Sequence, residues 1–288
     1  MTAWTIERDA TTVAAAAALG GDRRWNGYSL ADLAPAHRDW TRIALARRGA
    51  GAAEAACLFY RHPAFNSLIP DGDPAGLAAL LADAARAALL PNTTYILARE
   101  PHLAALERCY ALHDRSAMCR MALDRQTFRP PVAQIVGLRR LTGDDTAALA
   151  SFYAAYPAST FTPDQLVHGV FYGVWWGERL LAVAGTHVVA AEFGIAAVGN
   201  VFTLPEARGR GYGAATTAGV VGALLADGCA EVILNVVAAN TVARAIYARL
   251  GFVEHCAYSE ARATLRPRAR SRLNPAGARR RAAGKRRR

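Results

Sequence analysis

The chain has 288 residues, 53% of them apolar and 20% charged, and glycine and proline together make up only 37. That composition excludes a wholly disordered or collagen-like chain and supplies enough apolar material for two packed domains of roughly 130 to 150 residues. The net charge of +11 would suggest a nucleic-acid binder, but Arg266–Arg288 alone carry ten Arg, one Lys and no acid, so residues 1–265 are neutral.

No apolar run reaches the roughly 18 to 20 residues of a membrane span. The Ala14–Ala18 run follows Glu7 and Asp9 with no basic stretch before it, which predicts a helix rather than a signal peptide. Cys57, Cys109, Cys119, Cys229 and Cys256 are odd in number and form no C-x-x-C pair, so a reduced, cytoplasmic protein without a zinc ribbon is expected.

Ala75–Leu90 is rich in Ala and Leu and predicts a helix. The β-branched and aromatic Thr93–Leu97 predicts a strand, Pro101–Leu112 a second helix, and Ala117–Leu123 an extended segment. Pro130 and Pro131 then mark the expected boundary between domains of residues 1–130 and 131–265. Beyond it the sequence predicts a strand near Ala133–Leu138 and a capping signal at Thr142–Asp145 that opens a helix reaching Tyr153. A hairpin follows, Phe171–Trp176 and Arg179–Ala190 around Gly177-Glu178. Val198–Leu204 reads as a strand, Tyr212–Ala226 as a helix and Glu231–Val237 as a strand. Asn240 opens a helix with Ala243, Ile246, Tyr247 and Leu250 on one stripe, and Gly251 ends it before a last strand over 252–264.

The halves echo each other. NSLIPD (Asn66–Asp71) resembles VFTLPE (Val201–Glu206), and helix, strand, helix and strand follow both. The pattern predicts a duplicated unit.

Arg208-Gly209-Arg210-Gly211-Tyr212-Gly213 lies between a strand and a helix. Its glycines let main chain approach a ligand closely, and the following helix presents unpaired amides and the positive end of its dipole. Together they make a cradle for phosphate oxygens. The P-loop pattern is excluded because Lys285 is the sole lysine. Gly209, Gly211 and Ala214 fit a G-x-G-x-x-A count. The next strand, however, ends in Val-Val-Ala-Ala, where a dinucleotide fold needs an acid for the ribose, and this weakens a nicotinamide reading. Asn240 can cap the next helix, with Ala243 and Tyr247 on one face. A phenol can act as acid toward a departing thiolate.

Arg208-x-x-Gly211-x-Gly213, followed by Asn240-x-x-Ala243-x-x-x-Tyr247-x-x-x-Gly251-Phe252, resembles the GCN5-related N-acetyltransferase (GNAT) superfamily, in particular its FR47-like branch, over residues 131–265. The resemblance implies an α/β (α+β) fold with a mixed, mostly antiparallel twisted sheet flanked by helices, here in tandem with a degenerate amino-terminal copy. It implies acetyl-CoA as co-substrate and no metal. Phe202, Thr203 and Leu204 would pair with the pantetheine arm. The backbone of Arg208, Gly209, Arg210, Gly211, Tyr212, Gly213 and Ala214 would hold the pyrophosphate. Asn240 would orient the arm, and Tyr247 would be the acid toward the thiolate. The implied reaction is direct attack by an amine; the alternative is a non-catalytic CoA-binding scaffold.

An ammonium acceptor must lose a proton before it attacks, and His187 and Glu192, near the substrate-facing strands, are the candidate bases. Pro70-Asp71-Gly72-Asp73-Pro74 occupies the cradle position of the first half with two acids, which would repel a pyrophosphate. The basic tail from Arg266 is expected to be disordered, with nucleic acid or an anionic surface as a conceivable contact.

Overall fold

The computed structural model describes residues 3–63, 65–154 and 161–267. They form two compact units: the chain up to Ala117 together with the residues from Tyr258 onward, and Met118–Ala257.

The first unit begins with β1 (Trp4–Glu7), α1 (Thr12–Leu19), α2 (Arg23–Ala31), β2 (Thr41–Arg48), β3 (Ala55–His62) and β4 (Phe65–Gly72). It continues through α3 (Pro74–Arg86), β5 (Thr93–Ala98), α4 (Glu100–Glu107) and the start of β6 (Tyr110–Asp124). Its sheet runs β1-β2-β3-β4-β5, and the next position is filled by β12 (Val253–Leu265), the last strand of the chain. Ser259 to Thr264 of β12 pair antiparallel with Ala98 to Thr93 of β5. Strands β4 and β5 run parallel but stay paired only at Ser67–Tyr95 and Leu68–Ile96.

The second unit repeats this order with β7 (Leu138–Arg140), α5 (Thr146–Ala154), α6 (Pro163–His168), β8 (Tyr172–Trp176), β9 (Arg179–Ala190) and β10 (Ile195–Thr203). Helix α7 (Tyr212–Ala226), β11 (Glu231–Val237), α8 (Thr241–Arg249) and the start of β12 complete it. Here the place beside β11 is taken by β6, with Glu231 to Val237 antiparallel to Asp124 to Met118. Each unit thus has a strand from the other half of the chain beside its fifth strand. The units are therefore not the segments 1–130 and 131–265. Pro130 and Pro131 lie inside the second unit, because pairing across the sheet, rather than chain continuity, decides which strand belongs where.

Local chemistry sets the elements of the second unit. Thr142 and Asp145 form a capping box at the turn before α5, with Thr142 N–H donating to Asp145 Oδ2 at 2.9 Å. Alternation along β11 sends Val232, Leu234 and Val236 to one face, where they join Val220, Val221, Leu224 and Leu225 of α7 and Tyr247 and Leu250 of α8. On the opposite face of the sheet Leu149, Phe152, Tyr153 and Leu166 pack against Leu180 and Val183 of β9. Each fully buried aliphatic side chain of this kind contributes about 1.5–3 kcal/mol, so the two layers fix where β10 and α7 stand. The strand expected at 133–138 is confined to Leu138–Arg140. Glycine 137 ahead of it adopts φ +82°, a turn conformation that ends extended pairing on that side.

Candidate functional site

Strands β10 and β11 run parallel from Ile195–Glu231 to Val198–Leu234 and pair no further. Among the described residues, the rest of β10 keeps only its other neighbour, β9, through Gly199–Gly185, Phe202–Val183 and Thr203–Ala182. The Leu204 N–H donates to Leu181 O at 2.9 Å, toward β9. Main-chain groups alternate in direction along a strand, so Phe202 also faces β9, while Val201 and Thr203 turn their amides into the gap beside β11. Of the three residues expected to meet a pantetheine arm, only Thr203 therefore offers an N–H, and Val201, absent from that set, offers another.

The glycine turn follows this free edge. Gly209 and Gly211 adopt φ +77° and +81°, conformations that cost a residue with a β-carbon roughly 1–2 kcal/mol. Gly211 is the N-cap of α7 and so brings no side chain to its first amides. Gly213 has an ordinary backbone; a β-carbon there would meet only Thr203 Oγ1, at 3.4 Å. The amides of Tyr212, Gly213 and Ala214 precede the first intrahelical bond, which Ala215 N–H makes to Gly211 O at 3.0 Å. Arg208 Nε donates to Thr203 O at 3.2 Å and its guanidinium lies 5.9 Å from the Phe202 ring centre, so one arginine is fixed at the mouth. Arg210 is exposed. Glu206 is paired with Arg179, which offsets the one acid of the turn.

The corresponding place in the first unit is closed. Asp73 caps α3 and accepts from Ala75 N–H at 2.7 Å and Gly76 N–H at 3.1 Å, filling the seat a phosphate would take. Trp25 of α2, 1% exposed, donates from its indole to Pro70 O at 3.1 Å. Asn26 Nδ2 donates to Asp71 Oδ2 at 2.7 Å, and Arg99 is salt-bridged to Asp71 and Asp22. Side chains of the protein itself thus occupy the edge of β4 beyond its pairing with β5.

Tyr247 sits in the core layer of α8, ring to ring with Phe252 at 6.0 Å, and burial pushes its hydroxyl pKa up to about 12. Asn240 acts as the N-cap of α8, its Oδ1 accepting from Ala243 N–H at 3.1 Å. His187 lies on β9 against Gly199. A β-carbon at Gly199 would come within 2.2–2.4 Å of three ring atoms, so only glycine lets the imidazole lie there. Gly199 is the first residue of β10 past the paired segment, which puts His187 at the apex of the gap. Burial holds its pKa below the usual histidine value, against the opposing effect of a hydrogen bond with Asn200.

Glu192 is not part of this arrangement. It is exposed in the short turn before β10, and the four residue steps of that strand from Ile195 to Gly199, at about 3.3 Å each, put roughly 13 Å between the turn and the apex of the gap. Sequence reasoning missed Asn200, which follows Gly199 on β10, and Gln165, whose Oε1 accepts from Asn200 Nδ2 at 3.0 Å. The signal was the Gly199-Asn200 dipeptide inside a strand, a pattern that marks a bulge. Residues 268–288, most of the basic tail, lie outside the described residues, whereas Arg266 is anchored through its N–H to Cys109 O at 2.8 Å. Among the described residues no helix is long and apolar enough to cross a membrane, and no three His, Cys, Asp or Glu side chains converge.

Residues 139–252 match the model of the acetyltransferase (GNAT) family. No curated protein matches by sequence. Among solved structures, a GCN5-related N-acetyltransferase from Sphaerobacter thermophilus is similar at 19% identity and a TM-score of 0.59, covering 90% of this chain and 95% of its own. A tandem GNAT protein from the clavulanic acid biosynthesis pathway is similar at 14% identity and 0.57, covering 91% and 98%. A putative GNAT acetyltransferase from Novosphingobium aromaticivorans reaches 22% and 0.53, covering 75% and 91%. Residues 139–252 thus carry a GNAT acetyltransferase domain; the match is to the family as a whole and does not single out the FR47-like branch.

Proposed function

We propose that the second unit transfers an acyl group, most simply acetyl, from acyl-CoA to an amine, and that the first unit binds no CoA. One contrast carries this reading: of two equivalent strand-turn-helix edges, one is plugged by Trp25 and capped by Asp73, while at the other no described residue covers the first-turn amides or the edge of β10 beyond Val198.

In the mechanism we assign, the first-turn amides of α7 bind the diphosphate of CoA, and their fixed dipoles need no rearrangement to do so. Val201 and Thr203 amides align the pantetheine arm as an added strand, and one of them polarises the thioester carbonyl. His187, kept neutral by burial, accepts a proton from the incoming ammonium. With its pKa lowered, it is a ready acceptor at neutral pH but a weak one, so it works on an amine whose own pKa falls in the site. Tyr247 donates a hydrogen bond to the developing negative sulfur. A complete proton transfer from a phenol of pKa about 12 to a thiolate whose thiol has a pKa of about 8.5 would be uphill by roughly 5 kcal/mol, so stabilisation by the hydrogen bond, with the proton coming finally from the solvent or the acceptor, is the role that fits. Asn240 keeps α8 in place.

The test is thiol release from acetyl-CoA with a panel of amines. Release that falls at least tenfold in His187→Ala and in Tyr247→Phe, with CoA binding retained, supports transfer. CoA binding without release on any amine would make the protein a CoA-binding scaffold instead.

A further inference from the structure

One cavity of the first unit gathers arginines over hydrocarbon. Arg42 of β2 stands opposite Phe59 of β3, and alternation along β3 brings Arg61 to the same face two residues on. Arg42, Phe59 and Arg61 line the cavity together with Arg8, which follows β1. Ile6 and Ala44 of the sheet, and Leu80, Ala84 and Leu89 from α3 and the residues after it, supply apolar walls. The enclosed space is about 20 Å³, where roughly 10–15 Å³ is enough for one water-sized group.

The acids beside these arginines are already engaged. Asp83 takes Arg8 in a two-pronged pair, from Nε at 2.7 Å and Nη2 at 3.1 Å, and also accepts from Arg86 Nη2 at 3.3 Å. Asp9 pairs with Arg42 at 3.3 Å. The Arg61 guanidinium has no ion pair among the described residues, and its Nε is fully buried with no hydrogen-bond partner among them. Four guanidinium groups thus face two carboxylates, and Arg61 is the one left over. Burial and the like charge of Arg42 hold the Arg61 pKa below the usual arginine value, against the opposing effect of Tyr110; the guanidinium nonetheless stays charged. An unpaired buried donor beside a charge of its own sign is a standing cost to the fold, and a bound anion removes it.

We propose that this cavity binds the carboxylate of a small organic acid, with Arg61 as its principal partner and Arg42 as the second. A carboxylate is planar and accepts two parallel bonds from one guanidinium. Its carbon chain leaves on the opposite side, where Phe59, Leu80 and Leu89 offer hydrocarbon. A phosphate group would turn its remaining oxygens onto those same side chains, with no donor to meet them. The site lies in the unit to which we assign no CoA, and it stands or falls independently of acyl transfer by the second unit.

The test is thermal unfolding of the full chain in rising sodium butyrate. Sodium chloride at equal ionic strength and neutral butyramide are the controls, and sodium phosphate is the second anion. A ligand that binds only the folded state raises Tm progressively once its concentration exceeds Kd. Butyrate is expected to raise Tm beyond the chloride control, butyramide to have no such effect, and phosphate to have a smaller one. In Arg61→Gln about ten times more butyrate, or more, should be needed for the same shift. Arg42→Gln, at an exposed position, should need severalfold more and replaces the first variant where that one does not fold. A butyrate effect no larger than that of chloride, one matched by butyramide, or one unchanged in the folded variant overturns the site. A larger effect of phosphate than of butyrate overturns the carboxylate assignment.

Discussion

Gly211 and Gly213 stand two residues apart, and the structure gives them opposite tasks. Gly211 is needed for its backbone, at φ +81°; Gly213 is needed for empty space in the first turn of a helix. Gly211→Ala places a β-carbon in the left-handed region and should destabilise the fold by about 1–2 kcal/mol. Gly213→Ala meets Thr203 Oγ1 only at ordinary contact distance, 3.4 Å, and replaces glycine by the best helix former. It should therefore stabilise by up to about 0.5–1 kcal/mol. For a chain of this size that is an upward shift of roughly 2–4 °C in Tm per kcal/mol, against a downward shift for Gly211→Ala. Both variants should bind CoA more weakly, the first because the amides are re-aimed, the second because a methyl group enters the cradle. The assay is thermal unfolding paired with a CoA titration. A Gly213→Ala protein that is more stable and binds CoA as tightly as wild type would refute the claim that diphosphate contacts this turn.

The plugged edge of the first unit gives a second prediction. Asp73→Ala should cost about 1 kcal/mol of stability through loss of a helix cap and leave the affinity for CoA unchanged, as measured by denaturant unfolding and titration. Gly199→Ala should displace the His187 ring, which a β-carbon would overlap at 2.2–2.4 Å; turnover should collapse with CoA binding intact. His187 also predicts an acid-side loss of stability. Its imidazole stays neutral in the fold while the unfolded chain takes a proton near pH 6.5, so stability should decline as the pH falls from about 7 toward 5. In His187→Gln that part of the slope should vanish. Truncation after Pro267 should leave turnover on a small amine intact, whereas cutting after Thr264 would remove Leu265, which is 1% exposed, and the Arg266 anchor.

What could be read from the sequence was local. Helix α7 and strand β11 have the bounds their patterns predict, and the Ala243–Leu250 stripe packs as its spacing implies. The glycine turn was legible because few residues other than glycine tolerate its dihedral angles. The strand exchange was not: β5 meets β12 across more than 150 residues of chain, and no local pattern encodes which of two similar strands takes which place. Trp25 was silent for the same reason, since its role depends on Pro70, 45 residues away. Glu192 looked like a base because it neighbours a strand in sequence, but only the direction of that strand shows it to be at the wrong end.

The most direct test of the account is the number of CoA molecules one chain binds. Calorimetric titration of the full protein should give a single site, lost or strongly weakened in Gly213→Val while the protein stays folded. Two equivalent sites would mean that Trp25 and Asp73 do not close the first unit, and absence of binding by the folded wild type would contradict the phosphate cradle at α7.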